Sequence, residues 1–335
     1  MTLSINENQP IHLVFLYKKK VGDISSRKKV IVLSGPTATG KTDLSLEIAD
    51  ILGGEIISAD SMQVYREMNI GTAKVTLEEQ KRVPHHLIDI RNVNESFNVA
   101  EFYTEAHKAL KDILMRGKVP IVVGGTGFYL HAFLYGPPPG PTSSPEVRQY
   151  LEEQIKERGV EALYQKLSEI DPDYAKQISK NDRHKIVRAL EIITITKKKV
   201  SDFPKPEKTS EHYDFRCWFI YYPKEILYPR IEMRCDAMIQ SGFIEEVRHL
   251  EKKGLRENNS ASQAIGYRQC LEYLDTEQTD EDFEEFIWNF KRASRQYAKR
   301  QFTWFRKEKD FRWLNLEEQD LYRIQELIIQ DYEQS

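Results

Sequence analysis

Apolar and polar positions change their rhythm twice along this chain. Between residues 30 and 135, short apolar runs alternate with longer stretches of helical period. The runs at 30–33, 55–58 and 120–123 have strand length, whereas 42–52 and 99–116 read as helices. In the second helix Ala100, Tyr103, Ala106, Leu110 and Leu114 recur at helical spacing, which gathers them on one face. Alternating strands and helices predict a parallel sheet, because each crossover helix returns the chain to the same end.

Gly136-Pro137-Pro138-Pro139-Gly140-Pro141 ends this pattern, since proline continues neither a helix interior nor a central strand. Residues 145–197 then read as helix throughout, in segments 146–158, 160–170, 172–178 and 182–195 parted by short turns. A second linker, Phe203-Pro204-Lys205-Pro206, leads to 216–221, whose strand composition suits a return to the first sheet. Helices are predicted for 224–253 and 280–307. The expected fold class is therefore α/β, a parallel sheet core (29–140 and 211–335, with C-terminal helices) interrupted by a helical insertion domain (141–210); the G-x-x-x-x-G-K-[ST] match at 35–42 makes that core P-loop NTPase-like. Residues 1–28 read as a poorly ordered extension.

A length of 335 residues fits one large or two modest domains, and 40% hydrophobic residues suffice for a core. Cys217, Cys235 and Cys270 form no CxxC pair, so neither a disulfide framework nor a cysteine zinc site is supported; a reducing cytoplasm is the expected compartment. No apolar run approaches the roughly 20 residues of a spanning helix. The short run at 11–17 carries Lys18-Lys19-Lys20 on the wrong side for a signal peptide. A net charge of −3 argues against indiscriminate nucleic-acid binding. Charge is uneven, however: between Lys291 and Lys309 only Glu308 opposes a series of lysines and arginines, which leaves room for a local basic face.

The first chemistry to emerge is a phosphate site. Gly35-Pro36-Thr37-Ala38-Thr39-Gly40-Lys41-Thr42 fits G-x-x-x-x-G-K-[ST] and lies between a predicted strand and a predicted helix. Its glycines let backbone N–H groups curl around a phosphate, and the helix N-terminus adds partial positive charge. Lys41 is placed to reach outer phosphate oxygens, and the Thr42 hydroxyl to hold Mg²⁺.

Other candidates follow the strands. Asp60, just past 55–58, is a base, a metal partner or a simple N-cap. Gly124-Gly125-Thr126-Gly127, past 120–123, opens onto the same rim, as a ligand contact or only as a tight turn. Pro84-His85-His86-Leu87-Ile88-Asp89 has the look of a short strand ending in a Walker-B carboxylate. Arg230 and Arg234 stand four apart on a helix and suit a diphosphate clamp, or equally a solvated face. Residues 294–306 interleave basic and aromatic side chains, as single-stranded RNA readers do, though an amphipathic helix packing its rings inward has the same pattern.

Taken in order, the phosphate loop, Asp60-Ser61-Met62-Gln63-Val64-Tyr65, Gly71-Thr72-Ala73-Lys74, the Pro84–Asp89 stretch, Gly124-Gly125-Thr126-Gly127-Phe128-Tyr129-Leu130, Ala189-Leu190-Glu191, Ser241-Gly242-Phe243, Gly266-Tyr267-Arg268-Gln269 and Lys299-Arg300-Gln301-Phe302-Thr303-Trp304 resemble the tRNA dimethylallyltransferase family of the bacterial type. The resemblance covers residues 30–313. It implies transfer of a dimethylallyl group from dimethylallyl diphosphate to the exocyclic amine of the adenosine 3′ of the anticodon, in tRNAs reading codons that begin with U. It implies Asp60 as general base, and Thr126 and Arg148 beside the adenosine. It also maps anticodon stem-loop contacts onto Asp60–Gln63, His184-Lys185-Ile186-Val187-Arg188, Gln263-Ala264-Ile265-Gly266-Tyr267-Arg268 and Lys299-Arg300-Gln301-Phe302-Thr303-Trp304-Phe305-Arg306. A monomer free of membranes is expected.

Under this reading Lys41, Thr42 with Mg²⁺, and Arg230 or Arg234 stabilise a departing diphosphate. Departures from the family pattern are the extension at 1–28, Lys185 in place of an arginine, and Lys197-Lys198-Lys199-Val200 in place of a glycine-containing turn. No C-terminal zinc finger is present in the sequence. Rival readings are a P-loop nucleoside or nucleotide kinase and an NTP-dependent RNA-binding module.

Overall fold

The computed structural model describes residues 27–204 and 212–334, so the expected N-terminal extension and much of the second proline linker lie outside the described residues. In chain order the elements are β1 (Lys28–Ser34), α1 (Lys41–Leu52), β2 (Gly54–Ser58), α2 (Leu77–Arg82), β3 (His85–His86), α3 (Val99–Met115), β4 (Val119–Gly124) and α4 (Gly127–Tyr135). The middle of the chain forms α5 (Pro145–Ile170), α6 (Pro172–Ala175) and α7 (Arg183–Thr196). Then come β5 (Tyr213–Tyr221), α8 (Lys224–Gln240), α9 (Phe243–Glu251), α10 (Tyr267–Leu274), α11 (Asp280–Phe305), β6 (Arg312–Asn315) and α12 (Leu321–Glu333).

The strands form one parallel sheet in the order β3-β2-β4-β1-β5-β6. β1 sits between β4 and β5, and its side chains alternate between two cores: Val30 and Val32 enter one, Ile31 and Leu33 the other. A strand buried on both faces has to be apolar at every position, which is why it was legible as an unbroken run. Each such side chain contributes about 1.5–3 kcal/mol by leaving water. One face packs on α1 and α12, the other on α3, α4 and the C-terminal helices α8–α11. β1, β2 and β4 run in the same direction, so the loops after Ser34, Ser58 and Gly124 share one rim.

Residues 145–203 enclose a separate hydrophobic cluster built on Leu151, Leu163, Leu167, Ile186 and Leu190. Here α5 runs through Gly159, which kinks it at φ 81°. Lys197 closes α7 in the left-handed region at φ 57°, the conformation for which a glycine is usual.

Three expectations change. The helix at 224–253 breaks at Gly242, which takes φ 91° and caps α9. β6 and α12 were not foreseen: β6 is a short edge strand whose Trp313 pairs with Phe219 of β5, and α12 covers α1. The stretch at 84–89 gives only the two-residue β3. Asp89 beyond it is bound to Lys74 Nζ at 2.6 Å, so it is no Walker-B carboxylate at a strand end. Among the described residues, no helix is long and apolar enough to cross a membrane.

Candidate functional site

The phosphate loop joins β1 to α1 and is shaped by close packing. A Cβ on Gly35 would lie 2.2 Å from the Ile220 carbonyl oxygen, Ala38 takes φ 64°, and Gly40 caps α1 at φ 81°. Thr39 Oγ1 donates to the Pro36 carbonyl at 2.9 Å, and Lys41 Nζ folds back onto the same carbonyl at 2.5 Å. The loop forms one end of a cavity of about 650 Å³. Thr37 to Asp43, Asp60 to Gln63, Gly71 to Val75, Gln263 to Ile265 and Tyr267 line it, with Arg234, Tyr297, Arg300 and Gln301.

Two cations point into this space. Burial, reinforced by the nearby Arg234 charge and opposed by Asp60, pulls the Lys41 ammonium down to about 7. Arg234 is likewise lowered by burial and has no hydrogen bond or ion pair among the described residues. Two half-buried cations facing one carboxylate make a site short of negative charge, which a bound anion corrects.

The arginine pair is not one clamp. Arg230 does not line the cavity: its Nε donates to the Ala38 carbonyl at 3.0 Å, and its guanidinium lies 4.9 Å from the centre of the Tyr222 ring. A four-residue step advances about 6 Å along a helix, so the two heads reach different depths. Arg234 enters the cavity; Arg230 props the loop.

Asp60 does cap a turn, but only with one oxygen. Oδ1 accepts from the Met62 N–H (2.8 Å) and the Gln63 N–H (3.3 Å), while Oδ2 has no hydrogen bond among the described residues. Thr126 Oγ1 accepts from the Ser61 N–H at 3.2 Å, which ties the β4 turn to the Asp60 loop. The glycines of that turn answer close neighbours: an added Cβ would meet the Ala59 carbonyl at Gly124, Gln301 Nε2 at Gly125 and the Trp304 ring at Gly127.

Several expected RNA contacts are structural. Ile186 and Val187 belong to the core of the insertion, and Phe305 is fully buried, so their side chains cannot meet an external ligand. Gln301 is 4% exposed; its Nε2 donates to the Gly125 carbonyl at 2.9 Å and its Oε1 accepts from the Thr37 N–H at 3.3 Å, bracing α11 against both loops. Phe302 packs among Phe219, Tyr221 and Trp313. His184, Lys185, Lys299, Thr303 and Arg306 are exposed, and Arg268 lies near Glu272 on the surface. Gly266 caps α10 at φ 87°, a backbone conformation that favours glycine. Trp304 stands at the surface edge-on to Phe128. Arg148 and Arg188 are outside the cavity and both bind the buried Glu191, at 3.4 and 2.7 Å.

Sequence reasoning missed Tyr297 and Lys74 as lining residues. Burial, aided by Asp60, pushes the Tyr297 phenol up to about 12, so it stays protonated. Tyr297, Arg300 and Gln301 share a helix face by their spacing, and that was the available signal. No three His, Cys, Asp or Glu side chains cluster as metal ligands among the described residues. The Thr42 hydroxyl lines the cavity and has no side-chain hydrogen bond among the described residues, which suits an ion that brings its own phosphate and water ligands.

A P-loop at the carboxyl rim of a parallel sheet, opening on a cavity that also holds a carboxylate oxygen with no hydrogen bond among the described residues, defines an anion-binding P-loop protein. The IPP transferase family matches residues 63–308, and the chain belongs to that family. It is similar to the tRNA dimethylallyltransferase of Protochlamydia amoebophila (strain UWE25), 59% identical over 92% of this chain and 90% of the relative. The corresponding protein of Chlamydia pneumoniae is 52% identical over 86% and 85%. Among solved structures, the tRNA isopentenylpyrophosphate transferase of Bacillus halodurans aligns with a TM-score of 0.65 at 39% identity, covering 91% of this chain and 98% of that one. A eukaryotic dimethylallyltransferase acting on tRNA aligns at 0.72 and 31% identity, covering 88% and 75%.

Proposed function

We propose that the protein transfers a dimethylallyl group from dimethylallyl diphosphate to the N6 amine of the adenosine 3′ of the anticodon in tRNAs reading codons that begin with U. The observation that carries this reading is the pairing, in one cavity, of two basic side chains without an ion-pair partner among the described residues, Lys41 and Arg234, with the Asp60 carboxylate, whose second oxygen is free. Leaving-group stabilisation and proton removal are the two demands of the reaction.

The step balances simply. The C1–O bond of the prenyl diphosphate breaks, and diphosphate leaves with the bonding electrons. N6 of the adenine forms the new C–N bond, becomes acidic as it gains positive charge, and loses a proton to Asp60 Oδ2. Lys41, the loop N–H groups and Arg234 face the growing negative charge, while Asp60 is held by the Met62 and Gln63 N–H groups. Thr42 would hold Mg²⁺ there, which would add charge to the leaving group's surroundings. An adenine stacked in an anticodon loop cannot reach this cavity, so the base is flipped out. The exposed Lys299 and Arg306, with Arg300 at the mouth, carry the phosphate contacts. A transfer-RNA substrate and three free, buried cysteines support a cytoplasmic setting for the reaction.

The test is to incubate the protein with dimethylallyl diphosphate and an anticodon stem-loop, digest the RNA and weigh its nucleosides. A prenyl mass on adenosine supports the reading. An unmodified stem-loop, with a nucleoside phosphorylated when ATP is supplied, makes it a kinase.

A further inference from the structure

Glu246, on α9, is outside the cavity lining but accepts hydrogen bonds from three consecutive backbone N–H groups: Asn69 (2.9 Å), Ile70 (2.7 Å) and Gly71 (3.1 Å). It also accepts from the Tyr267 hydroxyl at 2.6 Å. Successive N–H groups converging on one point form a nest for negative charge, and here a side-chain carboxylate fills it.

What the nest holds is one wall of the cavity. The chain enters that wall at Gly71 and continues through Thr72, Ala73 and Lys74. The Thr72 carbonyl accepts from Gln63 Nε2 at 3.4 Å, and Gln63 Oε1 accepts from Ser58 Oγ at 3.1 Å. Gln63 is also a residue whose backbone N–H caps Asp60. Tyr267 belongs to the facing wall, with Gln263, Ala264 and Ile265. The walls meet without slack: a Cβ on Gly71 would lie 2.3 Å from the Phe243 ring and 2.6 Å from that of Tyr267.

We propose that Glu246 is a positioning residue that sets the register between these two walls, and through Gln63 the orientation of the Asp60 loop toward the adenosine. The role rests on the function proposed above. A carboxylate is required because both its oxygens accept; an amide at the same place would turn an NH₂ group toward a backbone N–H. The diphosphate end of the cavity, built from β1, α1 and α8, has no direct bond to Glu246 and is not governed by it.

The test is steady-state kinetics of Glu246→Gln and Tyr267→Phe beside the wild type, varying each substrate, with stem-loop affinity measured separately by fluorescence anisotropy. Glu246→Gln is expected to raise the RNA KM about tenfold, a cost of about 1.4 kcal/mol, while the KM for dimethylallyl diphosphate stays within about twofold. Tyr267→Phe, which cuts the link between walls but leaves the nest filled, raises the RNA KM by a smaller factor. A purely structural role would lower the active fraction and leave both KM values alone. Unchanged RNA KM in both variants, or equal rises for both substrates, overturns the assignment. Wild-type protein that transfers nothing overturns the functional reading instead; the anisotropy then decides alone, and equal stem-loop affinity in wild type and Glu246→Gln overturns the positioning role.

Discussion

Lys41 is the residue whose environment makes the sharpest quantitative prediction. Its ammonium titrates at about 7 in the free protein because burial and Arg234 both disfavour the charge. A diphosphate in the loop supplies the missing counter-charge and returns Lys41 to the ordinary lysine range, so binding must take up a proton. At pH 8 a group with a pKa near 7 is about 90% deprotonated, which makes the uptake about 0.9 proton, falling to about 0.5 at pH 7. The diphosphate releases protons of its own, so the comparison is with Lys41→Arg, which keeps the charge and does not titrate. Calorimetry of inorganic diphosphate binding, in buffers of different ionisation enthalpy at pH 8, gives both proton inventories. The wild type should exceed the arginine variant by close to one proton. Identical inventories would mean that Lys41 is charged in the free site, and the account of a charge-deficient cavity would be wrong. The sign also fixes stability: between pH 7 and the lysine range the unfolded chain holds a proton that the folded site has shed. Free wild-type protein therefore gains stability relative to Lys41→Arg as pH rises through that window.

Other substitutions separate the roles. Asp60→Asn retains an Oδ1 that accepts from Met62 and Gln63 but cannot take a proton, so single-turnover transfer should fall 10²–10⁴-fold, at about the magnitude of a lost general base, with stem-loop affinity held; loss of affinity at a normal chemical rate would make Asp60 an RNA anchor. Arg234→Met should cost about 10²–10³ in kcat, whereas Arg230→Met, which releases one bond to the Ala38 carbonyl, should cost under about tenfold; the reverse ranking in a kcat comparison would sink the depth argument. Lys299→Ala and Arg300→Ala should each weaken RNA binding and reduce the salt slope by about 1, read from affinities over a range of ionic strength.

What was legible in the sequence and what was not follows from physical cause. β1 and β4 announced themselves because strands buried on both faces are apolar along most of their length, whereas β2 showed only Ile56 and Ile57 between the buried, ion-paired Glu55 and Ser58; the loops at all three ends inherit a place on the rim from sheet topology. β6 was not legible: as a four-residue edge strand it carries Arg312 and Asn315 and has no strand pattern. The break at Gly242 hides in a sequence of otherwise continuous helical period, and only its φ of 91° reveals it. Spacing put Arg230 and Arg234 on one face but carried no information on depth, so it could not tell the prop from the ligand. Gln301 is the clearest case. Its neighbours are basic and aromatic, which pointed to RNA; its amide instead reads the backbone of two loops far away in sequence, and nothing local encodes that. Glu246 was invisible for the same reason, since its partners at 69–71 are backbone atoms.

On the function proposed above, this phosphate loop holds a leaving group during carbon–oxygen cleavage, not a phosphoryl donor. That role is tested most directly with dimethylallyl diphosphate carrying ¹⁸O at the bridging oxygen, incubated with the stem-loop and with ATP in the same tube. Every label should appear in released diphosphate, one for each prenylated adenosine, with ATP untouched. Label retained on the carbon skeleton, or ATP consumed in proportion to RNA modified, would contradict it.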